Sequence, residues 1–182
     1  MGAPDARMRE IVPDRNDTRA FRDALGRYAT GVTVVTAGTG KGPLGITANS
    51  FAGVSLDPPL VLWSLSKASL RYPHFRDADR FAVHVLGDDQ RDLCVRFSRS
   101  GHNFDGADWL ADESGLPLVG GCLARFVCRR SAVHDGGDHG IIVGEVARAE
   151  WRDGAPLIFS QGAYGRFAGP APAPETAETG PT

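Results

Sequence analysis

The sequence predicts a mainly β protein, an antiparallel barrel carrying a few short helices. Three observations point there. About seven segments read as strands, against two or three short helical stretches. Hairpin signals, in which glycine-rich turns separate β-branched runs, recur along the chain. Repeated units of strand and long helix, which a doubly wound sheet would need, are absent.

Each element has a local reason. A helix is expected to start at Asp17 or Thr18, either of which can cap its first amides. Phe21, Leu25 and Tyr28 give it one apolar face, and Gly31 ends it. Val32 to Thr36 is rich in β-branched residues and reads as a strand. Ala37 to Pro43 is a glycine-rich hairpin turn. The stretch GPLGITANSF (42–51) follows as the partner strand and runs toward Ser55. Asp57-Pro58-Pro59 breaks it, because neither proline can donate to a ladder. Leu60 to Leu65 is a short apolar strand, and Ser66 to Asp77 a loop with a short helix limited by Pro73. Phe81 to Leu86 is a strand. Asp88 to Ser98 is an amphipathic helix with Leu93 and Phe97 inward. Residues 99–121 read as one long irregular segment, a length often associated with function or with covering something. Leu123 to Val133 and Ile141 to Ala149 are long strands joined by HDGGDHG, and Leu157 to Phe159 is the last strand. Residues 1–16 form a flexible N-terminal arm, 17–168 one domain, and 169–182 a disordered tail without core-forming side chains.

Bulk properties narrow the function. A chain of 182 residues can bury about two-thirds of its unfolded surface in one core. Its net charge of -2, without a long run of one sign, gives no footprint for nucleic acid or an anionic membrane. No stretch approaches the roughly 20 apolar residues that span a bilayer. The N-terminal segment lacks the apolar run of a signal peptide, so a cytoplasmic location is expected. Cys94, Cys122 and Cys128 have no zinc or redox spacing and read as reduced, partly buried thiols.

Familiar motifs fail on inspection. Gly38-Thr39-Gly40-Lys41-Gly42 is not a phosphate loop, since Val35 and Gly42 stand where a glycine and a Ser or Thr belong. Pro43 occupies the third glycine position of a dinucleotide fingerprint. No G-x-S-x-G elbow occurs. His134, Asp135, Asp138 and His139 could ligate a metal, but Asp-Gly and Gly-Gly are strong hairpin signals, and the turn explains both glycines. No metal is assigned.

The stretch 42–51 is different. Alternation sends Ile46, Ala48 and Ser50 to one side and Thr47, Asn49 and Phe51 to the other, so neither face is cleanly apolar. Small polar side chains let a ligand approach the backbone and offer uncharged hydrogen-bonding groups. A planar, heteroatom-rich ligand such as a flavin ring suits that surface. A strand with Thr and Asn near a barrel end also explains it.

The segments ATGVTVVTA (29–37), LGITANSFAGVSLDPPLVLWSLSKAS (44–69), FAVHVLGDDQRDLCVRF (81–97), AVHDGGDHGIIVGEV (132–146) and PLIFSQGAYGRF (156–167) resemble, in order and spacing, the short-chain flavin reductase family. These are split-barrel proteins that supply reduced flavin to two-component monooxygenases. The resemblance implies an antiparallel split β-barrel of the FMN-binding type, a homodimer, and a flavin near the subunit interface. It implies FMN or FAD as flavin, NADH or NADPH as hydride donor, and a flavin-dependent monooxygenase as partner. Pro43, Leu44, Gly45, Ile46, Thr47, Ala48, Asn49 and Ser50 would lie along the flavin. Ser64, Leu65 and Ser66 would flank its ring or phosphate. Lys67, Ser69 and Arg71 lie where the family binds the phosphate tail, and Arg96 and Phe97 would close that side. His139 would sit near the nicotinamide as the one catalytic candidate, and Leu157, Ile158, Phe159 and Ser160 would line the nucleotide's path. One departure stands out: His84 occupies a strand position where relatives commonly carry Asn. The alternatives to a reductase are a flavoprotein whose tightly bound flavin acts on an organic substrate, with 99–121 as cover, and a non-catalytic flavin-binding module.

Overall fold

The structure, a computed structural model, describes residues 8–169. The expected arm lies partly, and the expected tail almost wholly, outside the described residues; residues 8–16 carry no helix or strand. Helix α1 (Arg19–Leu25) is followed by β1 (Thr30–Gly31), β2 (Thr33–Thr39), β3 (Gly42–Ala48), β4 (Ala52–Leu56) and β5 (Pro59–Ser66). Then come α2 (Tyr72–Asp77), β6 (Arg80–Val85), a single 3-10 turn (Asp88–Gln90) and α3 (Arg91–Arg99). The remainder is β7 (Trp109–Ala111), β8 (Pro117–Val119), β9 (Ala124–Gly136), β10 (His139–Trp151), β11 (Leu157–Ser160) and β12 (Ala163–Arg166). Among the described residues no helix is long and apolar enough to cross a membrane.

One antiparallel sheet organises the molecule, in the order β3-β2-β6-β9-β10-β5-β4. It wraps round a single core. Leu44 of β3 at one end and Trp63 of β5 near the other belong to the same buried cluster, with Val35, Phe81, Val83, Cys128 and Ile142 between them. Trp63 meets Phe75 of α2 edge-on, with ring centres 5.1 Å apart. Burying a side chain such as Phe75 or Phe81 contributes roughly 1.5–3 kcal/mol. A smaller sheet, β1-β11-β12, lies beside a second cluster of Val32, Val34, Leu86, Phe97, Phe104 and Leu157.

Several expectations need correction. The strand expected to run to Ser55 stops at Ala48, and residues 49–51 turn the chain into the separate strand β4. The 99–121 segment is not wholly irregular, since β7 and β8 pair as a hairpin. That hairpin packs on the outside of β6 and β9 through Ala82, Leu116, Leu118 and Val127. Thr36 pins it by donating to the Pro117 carbonyl at 2.5 Å, while Gly101, His102 and Asp105 ahead of it bond Gly45, Pro43 and Arg96. Helix α1 ends at Gly26 rather than Gly31, and its apolar face is not buried: Phe21, Leu25 and Tyr28 are all exposed. Asp17 accepts from the Arg19 amide at its start, as a capping residue should.

His84 is a structural residue. It is fully buried on β6. The Val119 amide donates to Nε2 at 3.1 Å, which leaves Nδ1 to carry the proton donated to the Val34 carbonyl at 3.0 Å. The ring thus ties β2 to β6 and to the end of β8 as a neutral group. Burial, with the Arg125 charge adding, drives its pKa from 6.5 down to about 3. The three thiols are equally inert: Cys94 and Cys128 are buried, and burial pushes Cys128 up to about 12.

Because native His84 stays neutral while the unfolded residue takes up a proton, stability is complete above pH 6.5 and falls as pH drops toward 3. This one group should contribute a slope of about 1.4 kcal/mol per pH unit in that window. Urea melts across it should show the slope shrinking by one proton in His84→Asn. An unchanged slope would mean that other groups carry the acid sensitivity.

Candidate functional site

The site forms where β3 ends. Alternation places Leu44 in the core and Ile46 and Ala48 against it, so Thr47 faces the other way, toward α3. Helix α3 can come close because residue 45 is glycine: a Cβ there would fall 2.6 Å from the Phe97 ring. Thr47 Oγ1 then donates to the Cys94 carbonyl at 2.6 Å. Its proton is committed, so toward a ligand Thr47 acts as an acceptor. Ser50 works differently. Its hydroxyl accepts from the Ser64 amide at 2.9 Å and donates to the Ser64 carbonyl at 3.0 Å, stitching the end of β3 to β5. Asn49 between them is exposed.

Around this corner lie two connected recesses. One, of about 210 Å³, is lined by Val32, Thr47, Ala48, Asn49, Ser98, Phe159 and Tyr164. The other, of about 640 Å³, runs between Asn49, Thr30 and Phe159 on one side and Phe21, Arg22, Leu25 and Tyr28 on the other. Phe159 is thus brought to Thr47 and Asn49. Val32, Thr30, Tyr164 and the α1 residues are additions that the sequence reading missed. For Tyr164 a signal existed: Gln161-Gly162 is a turn dipeptide between two short β-prone runs. Burial and the Cys94 thiol raise the Tyr164 phenol to about 12, so it remains a hydrogen-bond donor at neutral pH.

A second group gathers at the C-terminal end of β5, two residues beyond Ser64. His139 pairs with Ser66 in the β10–β5 ladder, and the Lys67 amide donates to the Asp138 carbonyl at 2.9 Å. Lys67 Nζ bonds Asp135 at 2.8 Å and the Gly137 carbonyl at 2.7 Å. His139 Nδ1 meets Asp138 Oδ1 at 2.8 Å; a carboxylate can only accept, so Nδ1 carries the proton. This bond holds the Asp138 carboxyl below its ordinary range, and Arg22 of α1 adds to the pull. The Ser66 and Ser69 oxygens accept from the Ala68 and Arg71 amides, which leaves both hydroxyl protons to donate outward.

Other expected residues serve mainly within the protein. Phe97 is fully buried, and Leu44, Leu65 and Leu157 are core residues, because each points inward from its element. They can offer a ligand backbone only. Ile46 packs against the core as well, Ile158 is half-buried, and the Ser160 hydroxyl bonds the Gly26 carbonyl at 3.3 Å. The Pro43 carbonyl bonds the His102 ring at 2.9 Å. Arg71 caps the end of α3, donating to the Phe97 carbonyl at 2.6 Å and to Gly45 and Ser98 at 3.4 Å, and partial burial lowers its pKa. Arg96 bonds the Asp105 carbonyl. The three basic residues expected at a phosphate therefore each have protein partners.

Comparison with known proteins decides the family. A model described as "Flavin reductase like domain" matches residues 25–168. The chain belongs to the flavin reductase like domain family. It is 60% identical over 157 residues to FMN reductase (NADH) SmoA of Agrobacterium fabrum, covering 86% of this chain and 90% of that one. It is 41% identical over 156 residues to HsaB, the reductase subunit of a flavin-dependent monooxygenase of Rhodococcus jostii, covering 85% and 80%. Among solved structures, the NADH:FAD oxidoreductase SgcE6 of Streptomyces globisporus superposes with a TM-score of 0.84 at 37% identity, covering 94% of this chain and 99% of that one. A flavin reductase needs somewhere to hold flavin, and the residues fit. Thr47 is an acceptor, Tyr164 a donor, Phe159 an aromatic wall, and Ser66 and Ser69 are donors suited to an anionic group.

Ser50→Ala would remove both bonds to Ser64 and leave those backbone groups unpaired, at a cost of about 1–3 kcal/mol. Denaturant unfolding should show that loss, and Ser50→Thr should recover most of it. Equal stability in Ser50→Ala would mean that β3 and β5 are held together by other contacts.

Proposed function

We propose that this enzyme transfers hydride from NADH or NADPH to FMN or FAD and passes the reduced flavin to a partner monooxygenase. The observation that carries this reading is the family match over residues 25–168, on a corner where Thr47, Asn49 and Phe159 converge. The relatives agree in kind: one is named an FMN reductase using NADH, another a monooxygenase reductase subunit. The flavin, when bound, supplies the redox chemistry by accepting the hydride. The residues bind and orient. Thr47 accepts from a ligand N–H or O–H, while Phe159 and Tyr164 keep water from one side of the recess. Ser66 and Ser69 donate to phosphate oxygens, with Lys67 adding positive charge beside them. The bond from His139 Nδ1 to Asp138 holds the ring in place and leaves Nε2 as the nitrogen that faces a nicotinamide carboxamide. No side chain is required as general acid or base, since the transferred particle is a hydride.

Two further features support the same reading. The edge strand β4 leaves Val54 and Leu56 exposed, at 51% and 97%, an edge that a second copy would cover in a homodimer. Light scattering at a monomer's mass would overturn that assembly. Three unpaired thiols suit a cytoplasmic location.

A steady-state assay crossing FMN and FAD with NADH and NADPH should give nucleotide oxidation proportional to enzyme in at least one pairing. Silence in all four would reject the reductase. In the active pairing, His139→Ala should raise the nucleotide KM by about tenfold, the worth of one good hydrogen bond, with flavin affinity little changed. The opposite split would move His139 to the flavin side.

A further inference from the structure

Among the described residues, Gln161 is the one non-glycine with a positive φ, +50°. It opens the two-residue turn between β11 and β12, with Gly162 at +78° behind it. Such a turn favours Asn or Gly at the first position, and a Gln there is held in a disfavoured conformation. Strain of this kind persists where surrounding contacts impose it, and it marks positions worth asking about.

What Gln161 touches is the end of α1. Its amide donates to the Gly26 carbonyl at 2.8 Å, and its side-chain Oε1 accepts from Arg27 Nη1 at 2.6 Å. Gly26 lies so close that a Cβ there would sit 3.4 Å from the Gln161 Cα. These contacts matter because α1 has no buried residue to anchor it. Yet Phe21, Arg22 and Leu25 form one wall of the 640 Å³ groove, opposite Asn49 and Phe159. The floor of that groove contains a polar atom without a partner: the Thr30 hydroxyl is buried and unbonded. Arg22 on the same wall is near enough to act on the Asp138 carboxyl that holds His139.

We propose that Gln161 is a positioning residue, a latch that sets α1 as the movable wall of the groove receiving the nicotinamide nucleotide. The proposal rests on the reductase reading given above. Its logic is mechanical. The turn is built around Gln161 so that one residue bonds the helix end by main chain and side chain at once. The helix, fixed at its end rather than by packing, can yield while the flavin site on the β3 side stays intact. Because the groove and the flavin recess share only Asn49 and Phe159, a shift of α1 should be felt by the nucleotide and not by the flavin.

Gln161→Gly isolates the side-chain part. Glycine suits the backbone angle and keeps the amide bond to Gly26, so the variant should fold with unchanged or higher thermal stability. Hydrogen exchange at the amides of residues 22–28 should quicken on the order of tenfold. With the active flavin and nucleotide, the nucleotide KM should rise roughly three- to tenfold, with kcat and flavin affinity changed by less than about twofold. Arg27→Ala should match it, the double variant should add little, and Arg27→Lys should restore part of the effect. Unchanged exchange in Gln161→Gly would overturn the latch. Faster exchange with an unchanged nucleotide KM would overturn the role assigned to the wall. A wild-type chain that oxidised neither nucleotide would overturn the reductase reading, and with it the nucleotide's place in the groove, while the exchange comparison would still decide the latch.

Discussion

The hydroxyl of Ser50 bonds both the amide and the carbonyl of Ser64, and so fixes the end of β3 to a strand five places away in the same sheet. A curled sheet with β3 at one edge and β4 at the other would otherwise leave that corner open. Closing it with a side chain rather than a backbone ladder has a consequence. The main chain of residues 49–51 is not consumed by strand pairing, and the corner stays recessed between two walls. The site is placed there because the barrel is sealed by a point contact instead of a seam.

The second constraint is the absence of a Cβ at residue 45. It lets the Phe97 ring lie directly on β3, which brings the Cys94 carbonyl within reach of Thr47. Arg71 strengthens the joint by bonding carbonyls of both α3 and β3. The Gly45 amide is also taken, by the Gly101 carbonyl at 2.8 Å. Helix α3 therefore behaves as part of the barrel wall. Phe97 and Arg71, side chains read from the sequence as ligand contacts, are what make the recess-facing side of Thr47 rigid. Preorganisation of this kind suits a reaction in which the protein's work is alignment.

Much of this was legible in the residues. The strands of the central sheet follow from β-branched runs and hairpin glycines, and the prolines at 58 and 59 mark the turn from edge strand β4 into β5. The polar character of Thr47 to Ser50 announced an unusual strand end, although the same residues split their roles: Thr47 toward α3 and the recess, Ser50 toward Ser64. Such a split depends on a partner far along the chain, which local pattern does not contain. The apolar stripe of Phe21, Leu25 and Tyr28 reads as one helix face. Phe21 and Leu25 lie in α1, Tyr28 lies beyond its end, and all three are exposed; periodicity reports that a face is apolar and not what covers it. Basic residues carry a related ambiguity. Lys67, Arg71 and Arg96 sit among small polar loops, yet carbonyl groups at helix ends and turns need donors as much as a phosphate does.

His84 and Thr30 show how the same test separates structure from function. Both carry polar atoms buried in a largely apolar setting. The His84 ring has a partner on each nitrogen, and its burial is complete, so its chemistry is finished within the fold. The Thr30 hydroxyl has no partner, and it borders a groove. Burying a hydroxyl without a hydrogen bond costs on the order of 1–3 kcal/mol. The difference between the two residues is thus one of completeness: the His84 ring is satisfied on both nitrogens within the barrel, and the Thr30 hydroxyl, beside the groove that α1 walls, is not.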